Sequence, residues 1–133
     1  MADDAAATPP IASTIAPWFP VEDGDRALAY YQAAFGAVEH YRLADDAGHV
    51  LVARLSVDQA AFWIQTDLGA TPMQNAGPIR MILTVDDPDA VFRQALLAGA
   101  AEVTPIAEDH GWRSGRLVDP FGYQWEVAKP LGE

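Results

Sequence analysis

The sequence predicts an α+β fold made of two βαβββ units in tandem. Three observations predict it. Apolar runs with strand and helix periodicity follow one another as strand, helix, strand, strand, strand, and that order occurs twice. The segments "VEDGDRALAYYQAAFGA" and "VDDPDAVFRQALLAGA" align, with Val21 on Val85, acidic pairs after each, Asp25 on Asp89, and Gly-Ala closing both helices once one residue is gapped. Near the end, Asp119-Pro120-Phe121-Gly122 forms a turn between two apolar strands. Pro120 presets φ, Asp119 can bond the following backbone and Gly122 tolerates positive φ.

Each element has its own signal. "IASTIAPWFPVED" reads as a strand with Ile15, Trp18, Phe19 and Val21 as apolar bulk and a proline at its exit. In "DGDRALAYYQAAFG" either Asp23 or Asp25 can cap a helix, Ala27, Leu28, Tyr31, Ala34 and Phe35 fall at helical spacing, and Gly36 ends it. "AVEHYRLAD", "HVLVARLSV" and "AAFWIQTD" are three short strands, the first two joined by the turn "DDAGH". "LGATPMQNAGP" is the longest loop-like stretch and marks the boundary between units. Beyond it come the strand "IRMILTVDD", the helix "PDAVFRQALLAGA" with Pro88 in its first turn, and the strands "AEVTPIAED", "SGRLVD" and "YQWEVAK". The expected organisation is a leader over 1–11, then one domain over 12–133 with modules 12–68 and 79–129 joined by loop 69–78.

Composition narrows the function. The 133 residues are enough to bury a real core. No apolar run approaches the ~20 residues needed to cross a bilayer, so no membrane partner is expected. "MADDAAATPP" lacks a basic region and an apolar run, and reads as a disordered leader rather than a signal peptide. With no cysteine, disulfides, thiolate metal sites and cysteine nucleophiles are excluded, and the expected location is cytoplasmic. Nineteen acidic against eight basic residues give a net charge of -11, which repels phosphate backbones, argues against nucleic acid and attracts cations. His40, His49 and His110 are scattered and read as surface or turn histidines. No Gly-x-Ser-x-Gly elbow occurs, and "GWRSG" lacks the Lys-Ser/Thr of a phosphate-binding loop.

The pattern W-x-x-G-x-x-x-D-P-F-G-x-x-W from Trp112 to Trp125, together with the duplicated units, resembles the vicinal oxygen chelate superfamily. This is the group of glyoxalase I, bleomycin-resistance proteins and extradiol dioxygenases, and the resemblance is to the bleomycin-resistance and phosphonate-operon-associated branch over residues 12–129. Tyr123 stands where members of that group often carry histidine. The resemblance implies two curved half-barrels around a cleft, and in the superfamily's enzymes a metal bound by residues on the first and last strands of each repeat. Carried over, those positions are Ala16, Arg80, Trp63 or Ile64 (Gln65 after a slip of one residue) and Glu126. Only Glu126 is a good ligand, and divalent sites need three or four, so neither metal nor other cofactor is expected.

If Arg80 and Glu126 both point inward, the resemblance makes them a buried ion pair. They would serve either as an anchor for a polar ligand or as a bridge filling the lost metal position. Trp125 alternates with Glu126 and is expected in the core. Trp18 is expected to line the cleft, Trp63 either core or cleft, and Trp112 a loop closing over ligand. The expected ligand-binding residues are therefore Trp18, Trp63, Arg80, Trp112 and Glu126, in a homodimeric protein that sequesters a cationic or aromatic small molecule without metal. Two alternatives stay open: a glyoxalase-like isomerase or lyase with a non-standard site, and a dimeric structural or regulatory module.

Overall fold

A computed structural model describes residues 8–132; Met1 to Ala7 of the expected leader and Glu133 lie outside the described residues. The first unit runs β1 (Trp18–Val21), α1 (Gly24–Phe35), β2 (Val38–Ala44), β3 (Val50–Val57), β4 (Ala60–Thr66). The second runs β5 (Arg80–Thr84), α3 (Pro88–Ala98), β6 (Ala101–Asp109), β7 (Trp112–Val118), β8 (Gln124–Pro130), and α2 (Pro72–Asn75) lies between the two. Each unit forms its own four-stranded sheet, ordered β1-β4-β3-β2 and β5-β8-β7-β6. In both, the first strand pairs parallel with the last, which requires the helix to cross over one face of the sheet. Among the described residues no helix is long and apolar enough to cross a membrane.

Both helices start on the same chemistry. The Asp23 side chain accepts from the Arg26 amide and Asp87 from the Ala90 amide, so the two caps are 64 residues apart, as the sequence alignment requires. Helix α1 ends at Gly36 in the left-handed region at φ 68. The helix has 12 residues and α3 has 11, which is where the single gap falls.

Local chemistry moves three boundaries. β1 begins only at Trp18 and Ile15 is fully exposed, because Pro17 has no amide to donate and only its carbonyl reaches β4, accepting from Trp63. The β6–β7 hairpin closes through His110 and Gly111, both at positive φ (53 and 84), so Trp112 opens a strand rather than sitting in a loop. The linker contains one helical turn, capped by the Thr71 side chain on the Gln74 amide. Pro20 and Pro105 are tolerated because β1 and β6 are edge strands.

The helix-facing sides of both sheets share one core. Trp125 of β8 lies among aromatics of the other unit, its ring centroid 4.7 Å from Phe35, 5.9 Å from Phe19 and 6.0 Å from Tyr31. At its centre Asp119, 3% exposed, accepts four hydrogen bonds. Oδ1 takes the amides of Phe121 (2.9 Å) and Tyr123 (3.0 Å), while Oδ2 takes Tyr31 Oη–H (2.6 Å) and Trp125 Nε1–H (2.9 Å). Burial pushes this carboxyl above the usual range, and the four donors pull it back only in part. The turn's glycine has φ 96, and a Cβ built there would collide with the Pro72 carbonyl of α2. Asn75 then donates to the carbonyls of Phe121 (2.8 Å) and Pro20 (3.1 Å), joining linker, turn and β1.

Asp119→Ala leaves buried donors of both units without an acceptor and is expected to lower unfolding free energy in urea by about 3 kcal/mol or more. Asp119→Asn keeps the acceptor for the two amides and should cost about 1–2 kcal/mol. Gly122→Ala should cost at least about 2 kcal/mol through strain and collision with Pro72. A wild-type urea midpoint for Asp119→Ala would show that the carboxylate does not hold the units together.

Candidate functional site

Because α1 and α3 cover one face of each sheet, period-two alternation sorts the remaining side chains onto the uncovered faces. On the first sheet, strand register puts Trp18, Trp63, Arg54 and Tyr41 in one row across all four strands. The Trp18 and Trp63 rings stack at 5.8 Å and 28°, Tyr41 meets Trp63 at 6.0 Å, and the Arg54 guanidinium lies 5.9 Å from the Trp63 ring centre. Trp18 Nε1–H donates to Gln65 Oε1 at 3.0 Å, which fixes the ring while 49% of the residue stays exposed.

On the second sheet, one row carries Ile82, Glu126, Arg116 and Thr104, and the adjacent row on the same face carries Arg80 and Gln124. Arg80 Nε lies 3.0 Å from Glu126 Oε1, so the two expected partners meet. They meet as neighbours on adjacent parallel strands, not across a cleft. The pair is also not buried: the side chains are 39% and 20% exposed, because an edge strand leaves the arginine open on one side. Gln124 sits beside Arg80, accepts from Arg116 Nη2 at 3.2 Å and donates to the Gly77 carbonyl of the linker at 2.9 Å. Trp112 shares this face but pairs with Pro130, one end of β7 away from Arg116, so it is not brought to Arg80 and Glu126. Trp125 faces the core, as its alternation with Glu126 requires.

A cavity of about 590 Å³ opens where β1, the linker and the start of β8 converge. Its walls include Trp18, Phe19, Ile79, Met81, Tyr123 and Gln124. Ile15, Pro17 and Met81 also line a second hollow of about 240 Å³ that extends the first toward the β3–β4 hairpin. Tyr123 forms the inner wall. Its ring stacks on Phe19 at 4.1 Å and 15°, its hydroxyl donates to the Pro20 carbonyl, and burial pushes the phenol up to about 12. Of the residues singled out from sequence, the cavity contains Trp18, with Trp63 behind it. Arg80 is the strand partner of Gln124 and Glu126 follows two residues along β8, both outside the cavity walls. Sequence reasoning missed Met81, Gln124, Arg54 and Arg116; the period of β7 would have placed Arg116 on the Trp112 face, but only the strand register puts it next to Gln124 and Glu126.

The superfamily's metal does not fit these residues. The offset between repeats makes Ala16 the counterpart of Arg80, and the register makes Trp63 the counterpart of Glu126. Ala16 and Trp63 offer no ligand, and the one carboxylate has a guanidinium on its oxygen. Among the described residues no group of three or more His, Cys, Asp or Glu side chains could share an ion.

A family model described as "Glyoxalase-like domain" matches residues 18–128. A protein of Mycobacterium tuberculosis strain H37Rv is 35% identical over 129 residues, covering 90% of this chain and 75% of that protein. Among solved structures, TioX from Micromonospora sp. ML1 superposes with a TM-score of 0.70 at 22% identity, covering 91% of this chain and 98% of that one. A bleomycin-binding protein complexed with bleomycin gives 0.66 at 21% identity over 89% and 98%. The fosfomycin resistance protein FosX of Listeria monocytogenes gives 0.70 at 16% over 90% and 93%.

Because the Arg80–Glu126 pair is partly open to solvent, a double-mutant cycle with Arg80→Met and Glu126→Leu is expected to return a coupling of about 0.2–1 kcal/mol in urea unfolding. A coupling of several kcal/mol would mean that the pair is desolvated in solution.

Proposed function

This chain belongs to the glyoxalase-like domain family, within the vicinal oxygen chelate superfamily, and we propose on that premise that it binds a small, partly aromatic molecule in the cleft without a divalent ion. Modules 12–68 and 79–129 serve as one binding unit, joined through linker 69–78, with Trp18 and Trp63 as the aromatic platform. The carrying observation is the half-exposed Trp18 ring, stacked on Trp63 and anchored to Gln65 at the mouth of a cavity of about 590 Å³. That volume lies within the range of pockets for drug-sized ligands, and its walls are mostly apolar.

Binding is favoured over an isomerase or lyase reading by what lines the cavity. Tyr123 is the one titratable side chain among its walls, and its hydroxyl proton is engaged by the Pro20 carbonyl. Enolisation or elimination needs a positioned base within reach of the reacting carbon; no other wall residue can be one, and Glu126, outside the walls, is held by Arg80. Such a site is consistent with sequestration in the bleomycin-resistance branch, where the bleomycin-binding protein forms its complex with bleomycin. Arg80 and Glu126 bridge the position that a metal takes in related enzymes, and Trp112 lies outside the cavity. The exposed apolar side chains Trp18, Val38, Tyr41, Leu43, Ile82 and Trp112 supply the surface for a homodimer that pairs the uncovered faces across a two-fold axis.

Protein soaked in zinc or manganese and then desalted is expected to retain well under one equivalent of metal. The neutral probe 1-naphthalenemethanol should quench tryptophan fluorescence saturably. Trp18→Ala should weaken its binding by roughly fivefold, about 1 kcal/mol of lost stacking. Stoichiometric metal would restore the enzyme reading, and probe binding indifferent to Trp18→Ala would move the site elsewhere.

A further inference from the structure

The chain as a whole is strongly acidic, yet its uncovered sheet faces are not. Of eight basic residues, three stand there: Arg54, Arg80 and Arg116. The carboxylates on the same strand rows are Glu126, already held by Arg80, and Asp109 at a hairpin end beside His110. Arg54 and Arg116 occupy corresponding places in the two repeats, across from Trp63 and Glu126 respectively. Neither has a carboxylate partner among the described residues. Arg116 Nε is buried and no protein group accepts its hydrogen, while one bond from Nη2 to Gln124 is the only one its five donors make among the described residues. Arg116 Nη1 is not buried, and among the described residues the Nη atoms make only the bond to Gln124, so they keep donors that an incoming anion would take. Gln124, which lines the cavity, is the strand partner of Arg80 and accepts from Arg116, so it joins the cavity to two cations that lie just outside its walls.

Resting on the cleft-binding reading above, we propose that the ligand is an aromatic anion, whose flat part lies on Trp18 and whose carboxylate, or an acid group of similar geometry, is taken by Arg116 and Arg80 beside Gln124. Global charge attracts cations only at long range, whereas selectivity is set by groups within a few ångströms of the bound molecule, and there the surplus is positive.

Three probes of one ring system separate the possibilities by titration calorimetry and amide NMR: 1-naphthylacetate, 1-naphthalenemethanol and 1-naphthylmethylamine. The acid is expected to bind at least tenfold more tightly than the amine, about 1.4 kcal/mol, with shifts at Trp18, Gln124 and Arg116. Arg116→Met should cut the acid-to-alcohol preference by roughly tenfold. Gln124→Glu, which puts a negative charge on the cavity wall without removing an arginine, should abolish the preference even if Arg116→Met fails to fold. If alcohol and amine bind at Trp18 as well as the acid, the cleft stands and the anion proposal falls. If none of the three shifts the resonances around Trp18, both fall together.

Discussion

One buried carboxylate organises this molecule. Asp119 takes hydrogen bonds from its own turn, from α1 of the other unit through Tyr31, and from β8 through Trp125. The turn that carries it is thereby fixed in conformation and in position at once. Fixing it sets the start of β8, hence Gln124 and Glu126, and brings Tyr123 onto Phe19 as the cavity wall. An ionisable group so deep is stable there only because every donor around it is aimed at it.

The two units repeat in more than outline. Asp25 meets His49 at 3.2 Å and Asp89 meets Arg113 at 2.7 Å, so in each repeat an aspartate of the first helical turn reaches a basic side chain, just ahead of β3 in the first unit and near the start of β7 in the second. The exchange of imidazole for guanidinium changes its character: the arginine bond holds the Asp89 carboxyl below its usual range, while the histidine pair is charged only when the ring is protonated. Symmetry is broken where the units meet. The β3–β4 connection is a tight turn at Asp58 and Gln59, whereas its counterpart spans Asp119 to Tyr123 and reaches into the shared core.

Elements set by local chemistry were legible in the sequence. The aspartate caps, the Gly36 stop, the alternation that buries Trp125 and the Asp-Pro-Phe-Gly turn all act over a few residues, and the structure contains each. The ion pair of Arg80 and Glu126 was also legible, through the ligand positions that the family resemblance implies. Its openness was not, because exposure depends on β5 lying at a sheet edge. Arg54 and Arg116 were missed for a related reason: what an arginine on a strand can reach is decided by the neighbouring strand's register, which no single segment encodes. The helical turn in the linker was hidden because four residues are too few to show a period.

That turn gives the linker a property that surface loops normally lack. Pro72 lies against the one residue type that leaves room for it, and Asn75 spans two carbonyls that belong to different halves of the molecule. One added or deleted residue ahead of Asn75 would rotate its amide by about 100° and lift the helix from its seat. The stretch between the repeats is therefore a ruler, its length fixed by the contacts Pro72 and Asn75 make. Insertions and deletions among relatives should gather instead at hairpin tips such as Asp45 to Gly48, where backbone and side chain close on each other within the turn itself.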